Sequence, residues 1–396
     1  GLVGLFAAGG MTQAVAQGGE AATGQSAIDE IIVTAQKRGE QTLLETPISI
    51  SVLQGEELDR TGARSISDVI NSVGGVNLVE TQPGQNIISI RGSAAPFFAS
   101  TTVGYYLDEL PFSFVNFNFV PDVGAFDVER VEVLRGPQGT LFGASALSGV
   151  VRVLTHDADL EDFELKTRVR TSSTEGGDAS YSSDVAVNVP LIPGKLAVRA
   201  VASYSDLGGF IDSPTKNNAN DSELGSYRLK INAQPTEKLD IEFGVSASRI
   251  DNSGPSRSRD DFTTVFDNQS DSRDYDLFTL EVGYDFSSFS VLSATSSMDY
   301  TTNASIGFKL GSFLTPVGQQ LNADIFSQEL RAASSLDGPW QWSSGIFYRT
   351  VDQLIIQSLS AIFADNFHVI DESESLAVFG ELTRSLLDNK LDITVG

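Results

Sequence analysis

From Phe163 to the end of the sequence, apolar and polar residues alternate with a period of two. In "FELKTRVRT" the apolar Phe163, Leu165 and Val169 fall in one phase, and charged residues fill the other. The alternation returns in about ten segments, and an eleventh begins in "LDITVG". A period of two is typical of strands with one buried face, so residues 163–396 are predicted to form antiparallel strands of about ten residues each.

The segments between these strands differ in length in a regular way. Short turns such as "LIPGK", "QPTEK" and "LDNK" alternate with long polar segments. Short turns at one end of the strands and long loops at the other are typical of an up-and-down outer-membrane β-barrel. A soluble β-sandwich or an adhesin is the alternative, because its loop lengths need not alternate by side. The long segments centre on residues 175–177, 207–222, 251–274, 302–322 and 353–372.

The first part of the chain, up to about residue 157, mixes short strands with a helical pattern. In "SISDVINSVGGVNL" four apolar residues recur at helical spacing between Ile66 and Val73, and Gly74-Gly75 would end the helix. We predict a compact α+β domain at residues 41–157. A barrel of about ten strands has no lumen for such a domain, whereas barrels of about 22 strands hold a plug, so the sequence is expected to stop near the middle of its barrel.

The composition argues against several classes of function. Acidic residues outnumber basic residues 52 to 26, and the formal charge is −26, so no nucleic-acid partner is expected. The chain has no cysteine and only two histidines, which argues against metal and thiol chemistry. The acidic run "DNQSDSRDYD" lacks the glycine and glutamate of an EF-hand loop, and weak Ca²⁺ binding there stays open. No acid/base constellation invites an enzymatic interpretation, and we predict that the protein is not an enzyme.

The segment "LRGPQGTLFGASALSGVVRVLT" resembles a phosphate-binding loop at first sight. It lacks the lysine of a P-loop and the second glycine of a nucleophile elbow, so no cofactor is expected. The glycines are instead predicted to meet a backbone requirement, namely close packing and positive φ. The candidates are Gly92, Gly136, Gly139, Gly143 and Gly149.

The N-terminus is uncharged up to Glu20. Residues 1–16 resemble the apolar core of a secretory signal peptide, and Ala14-Val15-Ala16 resembles its cleavage site. A flexible Gly/Ala tail is the alternative. We expect an exported protein whose signal has lost its basic start.

Several motifs together resemble the plug domain of TonB-dependent outer-membrane receptors. They are "IDEIIVTAQKR", "TPISISVLQGEEL", "ISIRG", "YYLDELPF" and "FDVERVEVLRGPQGTLFGASALSGVVRVLT", in the order that the family uses. The family often has Asn-Ala-Leu-Gly-Gly where this chain has Ser145 to Gly149. The resemblance implies an α+β plug domain inside an antiparallel transmembrane β-barrel of about 22 strands. About ten or eleven of them would lie in residues 163–396.

The resemblance also implies a function. The protein would bind a scarce bulky ligand, such as a siderophore, a cobalamin-like molecule or an oligosaccharide, and import it to the periplasm. The energy would come from the TonB periplasmic domain, which works with ExbB and ExbD in the inner membrane. The expected location is the Gram-negative outer membrane, in contact with its lipid. A passive porin or an adhesin-type barrel is the alternative, although a porin needs no plug.

Within residues 17–40, the family's pattern places the TonB box at Glu30, Ile31, Ile32, Val33, Thr34 and Ala35. This short β-prone segment would add a strand to a sheet of TonB. The alternative is an ordinary first strand of the plug. Few residues separate the box from residue 16, so a simple transporter without an N-terminal signalling domain is expected.

Two further sets of residues are predicted from the resemblance. Arg91 and Arg135 end plug strands, and they would pair with Glu329 and Glu381 on the lumen side of the barrel to hold the plug. Local pairing of these arginines with Asp127, Glu129 or Glu132 is the alternative. An aromatic set is predicted to face the extracellular ligand, with the alternative that some of its members belong to the plug core. It consists of Phe97, Phe98, Tyr105, Tyr106, Phe112, Phe114, Phe117 and Phe119.

Overall fold

The structure is a computed structural model of the 396-residue chain. It describes residues 32–33, 41–42, 48–82, 85–95, 99–138, 142, 146–254, 258–267, 269–310, 313–334, 338–358, 366–387 and 391–396. The predicted signal segment 1–16 lies outside these residues. Of the predicted N-terminal segment 17–40, only β1 (Ile32–Val33) is described, and it pairs antiparallel with β2 (Gln41–Thr42).

The next elements form two small sheets and two short helices. A five-stranded sheet has the order β3-β9-β10-β6-β7, and a three-stranded sheet has the order β4-β5-β8. Within the larger sheet β10 and β6 run parallel, and its other pairs are antiparallel. The elements are β3 (Ile50–Gln54), α1 (Gly55–Thr61), α2 (Ser67–Ile70), β4 (Val76–Gln82), β5 (Gln85–Ile90), β6 (Val103–Leu107), β7 (Leu110–Pro111), β8 (Phe119–Pro121), β9 (Val128–Arg135) and β10 (Gly149–Thr155).

The predicted helix is present but short. α2 has four residues, and Ile66, Ile70 and Val73 are buried against the small sheets. Gly75 has a φ of +81°, so the chain turns here through a conformation that favours glycine. In the described part of the chain, no helix is long and apolar enough to cross a membrane.

The remaining strands form one antiparallel sheet of eleven strands in sequence order, which confirms the predicted architecture and strand count. The sheet curves around the plug and is not closed. Its strands are β11 (Glu164–Ser173), β12 (Ala179–Ile192), β13 (Leu196–Leu207), β14 (Asp221–Thr236), β15 (Leu239–Ser253), β16 (Ser270–Asp285), β17 (Phe289–Leu310), β18 (Phe313–Ser334), β19 (Trp340–Ser358), β20 (Phe367–Leu386) and β21 (Leu391–Val395).

The predicted strand length of about ten residues is wrong for most of the sheet. β17 and β18 have 22 residues each, and their pairing continues to Leu310 opposite Phe313. The segment 302–322, predicted as a long loop, is therefore a β-hairpin. Beyond the apolar band both faces of a hairpin meet water, so the alternation of polarity fades while the backbone ladder continues.

The two faces of the eleven-stranded sheet differ in chemistry. The outer face exposes apolar residues such as Val169, Leu376 and Val378, whereas the inner face buries polar ones such as Arg199 and Asn188. An aromatic group lies at the short-turn end of the outer face, where rings of Phe286 and Phe289 stack. This arrangement matches an apolar band with an aromatic girdle at its edge.

The outer face carries a row of carboxylates across neighbouring strands. Directly opposed pairs join five neighbouring strands from β16 to β20. Their side chains stand in the outward phase, between inward residues that are buried or partly buried. We name this set the acidic row, and it consists of Asp276, Asp299, Asp324, Asp352 and Glu372.

Candidate functional site at the plug–barrel interface

Apolar packing joins the plug to the inner face of the sheet. Phe112 of the plug meets Tyr275 of β16 edge to face at 5.2 Å between ring centroids, and Phe114 lies 4.7 Å from the Tyr300 ring of β17. One hydrophobic cluster contains residues of both parts of the chain. The plug therefore occupies the lumen as part of the folded core.

Ion pairs also cross the interface, and one with two hydrogen bonds joins β13 to the plug. Arg199 donates from Nε to Asp127 Oδ2 at 2.8 Å and from Nη2 to Oδ1 at 2.5 Å, and both side chains are buried. Burial alone would raise the pKa of Asp127, but the hydrogen bonds and charge of Arg199 outweigh it and hold the pKa below its usual range. Asp127 is therefore a buried carboxylate that the wall keeps ionised.

A second contact holds the end of the plug. Lys230 of β14 lies 2.7 Å from Asp157, 3.4 Å from Asp108 and 3.1 Å from Glu242. The backbone N–H of Ala158 donates to the Asn232 side chain at 2.9 Å. The segment that leaves the plug is thus fastened to the wall before β11 begins.

A chain of buried and partly buried charges runs through the plug sheet to β18. Glu132 accepts from Arg130 and Arg152, each at 2.9 Å, and Arg152 is 1% exposed. Arg152 also lies 3.1 Å from Glu109, which in turn lies 3.5 Å from Arg331 of the wall. Because buried charges need partners, this network links β9 and β10 to the barrel.

β11 faces the plug with three cations, Lys166, Arg168 and Arg170. Lys166 and Arg168 contact Asp59 of α1, and Arg168 donates to Asp184 of β12 at 2.7 Å. Both cations also lie over the Phe126 ring, at 5.2 and 4.9 Å from its centroid. These two residues are therefore engaged with the plug.

The plug–wall ion pairs described so far place the cation on the wall and the carboxylate on the plug, whereas the predicted latch has the opposite polarity. Glu329 and Glu381 do lie in the inward phase of their strands. Glu329 lies 2.8 Å from Arg331, and Arg135 reaches the hydroxyls of Ser49 and Ser51 in its own domain.

The pairing of Arg91 and Arg135 with these glutamates stays a prediction. The local alternatives have other partners, since Asp127 pairs with Arg199 and Glu129 with Arg130. Sequence reasoning missed Arg199, Lys230 and Arg331. Their signal was present, because each is a cation in the inward phase of a predicted strand.

Most of the predicted ligand-facing aromatic set lies in the plug core. Six of its members are buried, with exposed fractions between 0 and 7%, and they pack in the core. Tyr106, for example, donates its hydroxyl to the carbonyl of Phe142 at 2.6 Å. Aromatic rings that stack on each other and on wall tyrosines are not available to a ligand in this structure. The buried members are Tyr105, Tyr106, Phe112, Phe114, Phe117 and Phe119, while Phe97 and Phe98 lie outside the described residues.

Three of the candidate glycines have a positive φ. Gly136 has a φ of +95°, and Gly149 has a φ of +149° with the position of a Cβ only 2.3 Å from the Leu134 carbonyl oxygen. Gly92 has a φ of +76°. Ser148, which departs from the family's glycine, donates its hydroxyl to Ser93 at 2.8 Å. Gly139 and Gly143 lie outside the described residues.

The predicted TonB box is described only in its centre. Ile32 pairs with Thr42 and Val33 with Gln41 in the two-stranded sheet. This sheet is separate from the two sheets of the plug. Glu30, Ile31, Thr34 and Ala35 lie outside the described residues, and the assignment stays a prediction.

Within the described ranges, no group of histidine, aspartate and glutamate residues could hold a metal ion. A cavity of about 430 Å³ lies between the plug and strands β11 to β15, at their long-loop end.

Comparison with known proteins agrees with this architecture. Residues 42–150 match the family model of the TonB-dependent Receptor Plug Domain. The vitamin B12 transporter BtuB of Vibrio vulnificus is 27% identical over 226 residues, covering 56% of this chain and 34% of that protein. The pesticin receptor of Yersinia pestis is 27% identical over 336 residues, covering 79% of this chain and 47% of that protein. The chain thus spans less than half the length of these two curated relatives.

Solved structures share the fold at low sequence identity. The ferric yersiniabactin uptake receptor of Yersinia pestis superposes with a TM-score of 0.69 at 18% identity, covering 86% of this chain and 62% of that one. The ferripyoverdine receptor of Pseudomonas aeruginosa gives a TM-score of 0.74 at 17% identity, covering 92% and 53%. From the plug-domain match, the curated relatives and the plug packed against its sheet, we conclude that the chain contains a TonB-dependent receptor plug domain at residues 42–150 and that most of its length is similar to TonB-dependent receptors of the Gram-negative outer membrane.

Proposed function

We propose that this protein imports a scarce bulky ligand across the outer membrane with energy transmitted by TonB. The observation that carries this proposal is the plug itself, which packs against the inner face of the barrel strands and is tied to them by buried ion pairs such as Arg199–Asp127. A passive porin needs an open lumen, so a plug held in this way favours active import over the porin alternative.

Energy would enter through the predicted TonB box at residues 30–35. Strand addition needs a short segment with free backbone groups on one edge. The backbone of Ile32 and Val33 already pairs as a strand with Gln41 and Thr42, which supports its capacity to form a ladder. The TonB periplasmic domain, driven by ExbB and ExbD, would pair with this segment and pull on the plug.

The ligand class follows from the relatives. One is named as a vitamin B12 transporter, and a solved structure of the same fold is named as a ferric yersiniabactin uptake receptor. These names favour an iron–siderophore complex or a cobalamin-like molecule over an oligosaccharide. The protein would move this ligand without changing it, as a receptor and not an enzyme.

Release of the plug would require its ties to the wall to break under force. The ion pairs of Arg199 and Lys230 are such ties, and the predicted pairs of Arg91 and Arg135 with Glu329 and Glu381 would add to them. A buried pair is costly to break from one side, so these ties hold the plug while no force acts.

The experiment compares Val33→Pro with Val33→Ile in cells that depend on this receptor. Proline removes a ladder hydrogen bond, whereas isoleucine keeps the strand. We expect Val33→Pro to abolish uptake of cyanocobalamin or of ferric siderophores from a test panel, with surface binding of the same probe retained. The isolated TonB C-terminal domain should bind the Val33→Ile protein and not the proline variant. Unchanged uptake by the proline variant would support the passive alternative.

A further inference from the structure

Two adjoining cavities lie between the plug and the wall formed by β11 to β15. Their volumes are about 430 and about 110 Å³, and five residues line both of them. The larger cavity reaches the segment after β13, so it opens toward the long loops. The shared residues are Arg64, Glu80, Arg170, Ser182 and Leu207.

Two arginines meet at this place from opposite sides. Arg64 comes from the plug, in the turn between α1 and α2, and Arg170 comes from the inward phase of β11. The Nη2 atom of Arg170 is buried and has no hydrogen-bond partner among the described residues. A buried guanidinium N–H without an acceptor costs free energy, so an incoming oxygen acceptor would gain from it.

The acidic groups around the cavities are already engaged. Asp184 accepts from Arg168 at 2.7 Å, and Asp68 accepts the backbone N–H groups of Arg64 and Ser65. Lys216 lies 2.6 Å from Asp221.

Glu80 and Asp122 also line the cavities. Glu80 has an interaction of its own. Burial, followed by the nearby charge of Glu80, raises the pKa of Asp122 to about 7. The carboxyl groups of the lining thus leave the Arg170 N–H without an acceptor.

The rest of the lining is rich in hydroxyl groups. Inward-facing serines of β12, β13, β14 and β15 contribute to the walls. Hydroxyls bind the polar parts of a small solute, and two guanidinium groups bind an oxyanion with charge-assisted hydrogen bonds. The lining residues include Ser180, Ser182, Ser203, Ser205, Ser222 and Ser226.

Two long loops that contact each other form the mouth of the larger cavity. Phe210 lines it and meets Phe262 of the next long loop edge to face at 6.0 Å between centroids. The two loops exchange backbone hydrogen bonds through Asp212, which donates to the carbonyl of Phe262 and accepts from Thr264. The entrance is therefore pre-organised by pairing between loops.

We propose that this plug–wall cavity is a binding site for a small oxyanion, a carboxylate or phosphate group, which Arg64 and Arg170 clamp between plug and wall. The site is separate from the predicted aromatic set, most of which is buried. It requires no action of TonB, so its test is independent of the proposed transport.

The test is a thermal unfolding titration of the purified full-length receptor in detergent with citrate and, separately, with inorganic phosphate. Chloride keeps the ionic strength constant. A ligand that binds only the folded state raises the unfolding temperature in a saturable way. We expect saturation with the wild type and an affinity at least about tenfold weaker for Arg170→Gln, because one charge-assisted contact is lost.

Two further variants make the result specific. Arg64→Gln should weaken binding like Arg170→Gln, whereas Arg249→Gln should bind like the wild type, since Arg249 pairs with Asp276 on the outer phase of the sheet. Arg170→Lys keeps the charge and serves if glutamine prevents folding, with an intermediate affinity expected. Equal responses of all variants, or no saturable response of the wild type to either anion, would overturn the proposal.

Discussion

Arg199 on barrel strand β13 donates two hydrogen bonds to the carboxylate of Asp127 in the plug. The same guanidinium donates to Glu164 at 2.8 Å. The arginine thus has two acidic partners, one buried and one half-exposed. Removal of Arg199 and removal of Asp127 should therefore have different costs, because the side chain that remains has different partners in the two cases.

The first prediction concerns this asymmetry. Arg199→Ala leaves the buried Asp127 without its main partner, and we expect a loss of about 3–5 kcal/mol in the free energy of unfolding. Asp127→Asn leaves Arg199 with Glu164, so its loss should be smaller. Urea unfolding of the purified receptor measures both. Arg249→Ala, which removes an exposed pair with Asp276, is the control and should cost about 1 kcal/mol or less. Equal costs for all three variants would contradict the assignment.

A second prediction concerns Asp122 and pH. Burial, followed by the charge of Glu80, raises its pKa from 3.8 to about 7. Between these values the folded state holds a proton that the unfolded state has released, so this group's contribution to stability falls as pH rises. Asp122→Asn removes the titration while an amide oxygen can still accept from Gly124.

We therefore expect the variant to gain stability relative to the wild type as pH rises from about 4 to about 7. Unfolding temperatures measured at a series of pH values give this difference directly. A constant difference across the window would show that Asp122 does not titrate there.

A third prediction concerns the glycine-rich segment. At Gly149 an added Cβ would lie 2.3 Å from the Leu134 carbonyl oxygen and 2.7 Å from Ile90. Because the clash is with backbone, Gly149→Ala should destabilise the plug by roughly 1–3 kcal/mol or more. Gly74→Ala is a matched control, since no atom lies within 4 Å of its added Cβ. Hydrogen exchange of β9 and β10 would report the local loss, and protection unchanged in both variants would count against this packing.

A fourth prediction concerns the acidic row. Like charges directly opposite one another destabilise a sheet, and Asp324 stands opposite both Asp299 and Asp352. Asp324→Asn should therefore stabilise the barrel strands by about 0.2–1 kcal/mol. The gain should shrink at about 1 M salt, which screens exposed charges. Asp392→Asn, opposite Ser385, should change little, and an equal gain there would refute the cross-strand explanation.

The parts of the fold that could be predicted from sequence are those where one face meets lipid and the other meets polar groups. There the period of two is strict, and it predicts the eleven strands. The same rule fails in β17 and β18 beyond the apolar band, because a hairpin with water on both faces has no reason to alternate. Backbone pairing, which sequence polarity does not report, decides where these strands end.

The functional residues were harder to predict because their partners are distant in sequence. Arg199 and Asp127 are 72 positions apart, and nothing local in either segment indicates the other. The burial of six members of the aromatic set could not be predicted for the same reason. Phe112, for example, packs against the Tyr275 ring of β16, which is 163 positions away in the sequence.

The order of the plug sheet has a mechanical consequence. β3 is the first strand of that sheet along the chain, and it lies at the edge, bound to β9 alone by five residue pairs. If TonB pulls at residues 30–35, as proposed, the tension would reach β3 before it reaches any other strand of the sheet. Peeling this one edge leaves intact the ladder of β9, β10 and β6, where Arg152 and Glu132 are buried. Under the proposed function, the edge strand β3 could therefore detach first while the other four strands of the sheet stay paired.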